Sequence, residues 1–192
     1  MIELGPEFSQ GQWSPNECVL SSTLRELKAV DNVLRSFASK FRGHVVKWFS
    51  DNQAVVQIVQ VGSRKQHLQE GALSIFELCF QYDIKLKVEW IPRSANGIAD
   101  YVSRIRDYDD WMVNPALFQS LDKTWGPHTV DCFASEHNKQ LLRFHSRFWC
   151  PGAEAVDTFT VNWMGDVCWL VPPLHLAGRA LCHARAFMLK EH

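Results

Sequence analysis

Val45-Val46-Lys47-Trp48-Phe49-Ser50-Asp51-Asn52 is the stretch on which the fold turns. β-Branched and aromatic side chains run up to an acid, and a second apolar run, Ala54 to Val61, begins at once. The first run reads as a buried strand and the second as a helix. A strand passing directly into a helix leaves Asp51 at the strand's C-terminal end, where open α/β sheets carry their sites. Two further acids, Glu26 and Asp100, lie on segments able to join it.

Upstream, Met1 to Leu4 reads as the end of a strand broken by Gly5-Pro6, and Phe8 to Trp13 as a short extended piece stopped by Ser14-Pro15. Ser21-Ser22-Thr23 opens a helix whose apolar positions Leu20, Leu24, Leu27, Val30, Leu34, Phe37 and Phe41 make one buried stripe ended by Gly43. Downstream, the strand spans 44–50 and the helix 52–61, with Gly62-Ser63 as its stop. Arg64-Lys65-Gln66 leads into a helix with Leu68, Ala72, Ile75, Phe76 and Cys79 on its buried side. Ile84 to Trp90 alternates apolar and polar, a strand with one covered face, and Pro92 ends it. Asn96 to Ile105 is a short helix carrying Asp100. The order β-β-α-β-α-α-β-α describes an α/β domain, a mixed sheet with helices packed on it.

Asp107-Tyr108-Asp109-Asp110 is a polar joint, and it divides the chain into domains 1–107 and 108–192. Beyond it, Asn114-Pro115 starts a helix, the asparagine as cap and the proline in the first turn, with Phe118 and Leu121 inward. Residues 128–133 read as a strand containing Asp131, residues 134–163 as irregular and aromatic-rich, and Val167 to Val171 as a strand meeting Pro172-Pro173. A last helix, Leu176 to Lys190, places Ala177, Ala180, Leu181, Ala184 and Met188 on one face.

With 46% hydrophobic and 21% charged residues, the 192-residue chain is globular in composition rather than disordered. No apolar run approaches ~18 residues, the minimum for a spanning helix. The first residues lack the basic and apolar regions of a secretory leader, so an intracellular protein, cytoplasmic or nuclear, is expected. The six cysteines include no C-x-x-C pair and read as free thiols. Net charge is -1, which excludes a strongly basic nucleic-acid binder; phosphate contacts would need a local patch such as Arg25, Lys28, Arg35, Lys40, Arg42 and Lys47, or Arg64-Lys65.

Three acids on a helix, a strand end and a later helix are the material of a magnesium site. Mg²⁺ takes hard carboxylate oxygens and keeps several waters. Two such ions ~3.5–4 Å apart drive in-line phosphodiester hydrolysis. Each acid also has a plainer use. Asp51 precedes a helix and serves as its N-cap; from sequence alone that is the simpler reading. Glu26 stands three residues after Thr23, the spacing of a capping box. Asp100 serves as an exposed helix acid.

Thr23-Leu24-Arg25-Glu26-Leu27, Phe49-Ser50-Asp51-Asn52 and Asn96-Gly97-Ile98-Ala99-Asp100 resemble the ribonuclease H domain, and most closely the one that follows reverse transcriptase in DIRS-type tyrosine-recombinase retrotransposons. Ser21-Ser22-Thr23, Val61 to Lys65, Trp90-Ile91-Pro92-Arg93 and Asp109 to Met112 extend the likeness, from about residue 1 past residue 107. The resemblance implies a ribonuclease H-like fold and four carboxylates that bind two Mg²⁺ and cut the RNA strand of an RNA–DNA hybrid. Glu26, Asp51 and Asp100 match the second, third and fourth, and Asn52 and Arg93 become candidate strand contacts. The first carboxylate, carried in the family by the opening central strand, has no match here. Arg93-Ser94-Ala95 stands where the family has a loop histidine. A chain truncated at its first strand is therefore expected, with unpaired strand edges, an incomplete two-metal site and weak or no activity.

Thr129 to Ser135, Trp163 to Val167 and Leu170 to Leu174 resemble the Dam-type adenine-methyltransferase region of the same elements. There a (Asp/Asn)-Pro-Pro-(Tyr/Phe) turn holds the target amino group. Here Val171, Pro172, Pro173 and Leu174 occupy it, and valine accepts no hydrogen bond, so a partial, degenerate segment is expected. Asp131 would be its relic cofactor residue, and S-adenosylmethionine binding is not expected. The resemblance implies a hybrid or other nucleic acid as partner, with reverse transcriptase in the parent polyprotein and no membrane. The alternative is a catalytically inert binding module for nucleic acid or protein; a degenerate adenine methyltransferase ranks below both.

Overall fold

The computed structural model describes residues 9, 11, 13–102 and 112–188, with the backbone alone for 98–100 and 188. The chain divides into two compact units, Met1–Ile105 and Arg106–His192. Both mix helices with short parallel strands, so the class is α/β. Among the described residues no helix is long and apolar enough to cross a membrane.

The first unit runs α1 (Pro15–Cys18), α2 (Ser22–Ser36), α3 (Ala38–Phe41), β1 (Val45–Ser50), α4 (Gln53–Val61), α5 (Gln66–Gln81), β2 (Lys85–Trp90) and α6 (Gly97–Val102). Its core is helix on helix. Leu27, Val30 and Leu34 of α2 meet Val55 and Ile58 of α4 and Leu68, Ile75 and Leu78 of α5, with Trp48 and Leu86 packed against them from the strands.

β1 and β2 pair in parallel, Val45 opposite Lys85 through Ser50 opposite Trp90. Lys85 N–H donates to His44 O, and Ile91 N–H to Ser50 O. By the alternation of a parallel ladder, the even residues of β1 turn their backbone groups toward β2. The N–H and C=O of Val45, Lys47 and Phe49 therefore face the other edge, where no strand pairs among the described residues. The same alternation sends Val46, Trp48 and Ser50 under the helices and leaves Val45 and Phe49 about half exposed. At β2's outer edge the Gln60 amide donates to Val88 O at 3.0 Å.

The second unit comprises α7 (Pro115–Trp125), β3 (Val130–Asp131), β4 (His145–Ser146), β5 (Ala155–Val156), β6 (Cys168–Trp169) and α8 (Ala177–Met188). β3 pairs with β6 and β4 with β5, all in parallel, and an Asp131–Phe144 bridge joins the two pairs. Val130, Cys132 and Trp163 form the core, covered by Phe133, Ala184 and Phe187 among others.

Several expectations are corrected. The helix opening at Ser21 does not run to Phe41. It ends at Ser36, with Phe37 (φ -117°) as its cap and the last bond running from Phe37 N–H to Val33 O, and a separate turn, α3, starts at Ala38; the Ser36 hydroxyl adds a bond to Asn32 O in that last turn. Phe76 is 66% exposed, and Leu78 takes the buried place on α5. Residues 128–133 contain only the two-residue β3, and the stretch taken as irregular holds β4 and β5. On α8, Leu181 faces outward while Ala184 and Phe187 pack inward. The opening strand Met1 to Leu4 and the joint 107–110 lie outside the described residues, as do half of the extended piece 8–13 and the ends of the helices reaching 105 and 190.

Candidate functional site

The cap of α2 is Ser21, whose hydroxyl accepts Leu24 N–H at 3.3 Å. Thr23 thus lies inside the helix, and Glu26 has no part in a capping box. Its carboxylate reaches across to β1, where Ser50 Oγ donates to Glu26 Oε2 at 3.2 Å. The cap of α4 is likewise Asn52, whose Oδ1 accepts Ala54 N–H at 3.0 Å. Asp51, one residue earlier, is released from capping and stands beyond the end of β1. The plainer uses of both acids are therefore taken by their neighbours.

Asp51 is held from two sides. Trp90 Nε1 donates to its carbonyl at 3.2 Å, and Asn96 Nδ2 donates to its Oδ1 at 3.3 Å. Asn96 directly precedes α6, the helix that carries Asp100, whose side chain lies outside the described residues. Arg93 is exposed and opens the 3-10 turn Arg93–Ala95 after Pro92. Of the two proposed strand contacts, Asn52 already uses its carbonyl oxygen as the cap of α4.

Hydrogen bonds thus join Glu26 of α2 to Ser50, and Asn96 of the loop before α6 to Asp51, at consecutive residues where β1 ends. Glu26 Oε1 and Asp51 Oδ2 accept no hydrogen bond among the described residues, and neither carboxylate pairs with a Lys or Arg there. Two half-buried carboxylates, each with a spare oxygen and no competing cation, are the donor set a hard divalent ion takes. No described group of three His, Cys, Asp or Glu stands close enough to hold a metal; Asp100's side chain falls outside that comparison. Ser50 and Asn96 are absent from the sequence reading. Ser50 had a signal: it is the polar residue at an inward position that Val46 and Trp48 lead one to expect apolar.

In the second unit Asp131 is buried, and its carboxylate accepts Gln140 N–H at 3.0 Å and a second bond from the backbone of Phe133. Burial pushes its pKa up, and these two bonds oppose the rise without cancelling it. It fastens the loop after β3. Val171, Pro172 and Pro173 are half-buried beyond β6, and Leu174 is 90% exposed. Comparison with known proteins finds no family model, no curated protein and no solved structure that matches this chain.

Proposed function

We propose that the first unit is a ribonuclease H-like module of retrotransposon origin, whose reaction is Mg²⁺-dependent hydrolysis of the RNA strand of an RNA–DNA hybrid. The observation that carries this reading is the meeting of Glu26 with the end of β1 while Ser21 and Asn52 relieve both acids of capping. A pair of bound divalent ions would supply an activated water and stabilise the leaving oxygen. The chain's own part is to hold ligands: Glu26 and Asp51 through their spare oxygens, with Asp100 as the third on α6. Arg93, exposed just before that helix, is offered to a phosphate.

The fourth ligand of such a site has no match in the sequence motifs, and the edge of β1 that no described strand pairs is where a strand bearing it would add. Activity of the chain as it stands is accordingly weak or absent, and a nucleic-acid-binding role without cleavage is the second reading. The test is cleavage of a labelled hybrid in Mg²⁺ by this chain and by one extended upstream with a strand carrying an aspartate. Cleavage by the extended chain, lost on Asp51→Asn, supports the nuclease. Binding without cleavage in both supports the inert module, and neither binding nor cleavage removes the proposal.

The second unit we read as a methyltransferase-like remnant without cofactor chemistry. Val171 offers no acceptor to an amino group, and Asp131 is committed to backbone N–H groups. Tight S-adenosylmethionine binding by calorimetry would contradict that.

A further inference from the structure

We propose that Ser50 and Asn96 are positioning residues, which set the Glu26 and Asp51 carboxylates for a divalent cation before one arrives; this rests on the metal-site reading above. Gathering carboxylates is unfavourable, because like charges repel and each free side chain rotates toward water. Something must hold them that does not also neutralise them. A lysine or arginine would orient a carboxylate but compete with the cation for its charge. A hydroxyl and an amide orient without competing.

The direction of the Ser50 bond follows from its neighbours. Ser50 is 6% exposed, and its oxygen accepts Asn52 N–H at 3.1 Å. Its one proton is then given to Glu26 Oε2, the acceptor at 3.2 Å. The hydroxyl thus links the start of α4 to a side chain of α2 and leaves Glu26 Oε1 unengaged. Asn96 acts on the other carboxylate. Its Nδ2 is a donor only, so the bond to Asp51 Oδ1 takes one oxygen and leaves Oδ2. Because Asn96 directly precedes α6, the same bond ties the start of the Asp100 helix to the end of β1. Each neutral donor occupies one oxygen of one carboxylate.

The probe is Mn²⁺ alone, titrated into the full chain and followed by calorimetry and by the electron-spin signal of the free ion. Asp51→Asn should abolish binding. Ser50→Ala and Asn96→Ala should each weaken it about tenfold or more, the usual cost of removing a group that orients a metal ligand. Ser50→Thr, which keeps the hydroxyl, should restore affinity. Unfolding curves in EDTA separate positioning from folding: Ser50→Ala should still unfold cooperatively, at a somewhat lower midpoint for its two lost bonds, while its Mn²⁺ affinity falls under conditions where it is fully folded. If Asp51→Asn abolishes binding but Ser50→Ala and Asn96→Ala leave it unchanged, the positioning role is wrong and the metal site stands. Failure of Ser50→Thr to restore affinity also overturns it. If the unaltered chain binds no Mn²⁺, the metal-site reading falls and takes this inference with it.

Discussion

His145 gives the molecule a pH dependence near neutrality. It is 2% exposed, its Nδ1 meets Thr158 Oγ1 at 3.0 Å, and its Nε2 has no partner among the described residues. Burial lowers its pKa below the ordinary 6.5, more than the nearby Glu154 and Asp166 raise it. The folded state therefore prefers the neutral ring, while the unfolded chain takes a proton as soon as pH falls below 6.5. The contribution is whole above that pH and is lost as pH drops toward the folded pKa. Thermal midpoints should be level above about pH 6.5 and decline below it, with His145→Gln flattening the decline. Residues of this kind show how far a sequence can be read. Glu26 and Asp51 were legible as candidates because acids beside apolar runs stand out. Which of two adjacent residues would cap a helix was not, since Asp51 and Asn52 are both good caps. Ser50 and Asn96 stayed hidden because their partners lie 24 and 45 residues away in the chain.

Among elements, α2, α4, α5, β1 and β2 were readable because each is long enough for its period to show. β3 to β6 have two residues each, too few for alternation to register, and their pairing depends on contacts made by the rest of the unit. The break at Phe37 was unreadable for a different reason. The apolar stripe continues through it, while the backbone ladder stops at the Phe37 N–H to Val33 O bond. β1 offers a direct test of its own geometry. Its inner amides, at Val46, Trp48 and Ser50, face β2, whereas those of Val45, Lys47 and Phe49 face the edge that no described strand pairs. Hydrogen exchange should alternate along the strand, slow at even positions and fast at odd ones. Uniform protection would mean that another strand occupies that edge.

At the scale of the whole molecule there are two apolar cores that share no residue, one around Leu27 and Leu34 and one around Val130 and Trp163. Leu34→Ala should cost the first unit roughly 2–5 kcal/mol, the range for emptying a closely packed leucine site. Exchange protection in α2, α4 and α5 should fall while that around Val130 and Trp163 holds. A matching fall in both would show that the units unfold as one. The class of each unit was evident from its run of helices and strands. The sheets were not: a domain of this type is expected to cover both faces of a parallel sheet, and here Val45, Lys47 and Phe49 remain open to water.

The bond from Asn96 to Asp51 also gives the molecule a way to age. Asn96 is followed by Gly97, and a glycine has no Cβ to shield its own N–H, so attack on the asparagine amide and loss of ammonia are least hindered at such a pair. Deamidation would exchange the donor that steadies Asp51 for a negative charge that repels it. Stored protein would lose the tether of α6 molecule by molecule, and peptide mapping of old and fresh preparations would find the change concentrated at this one position.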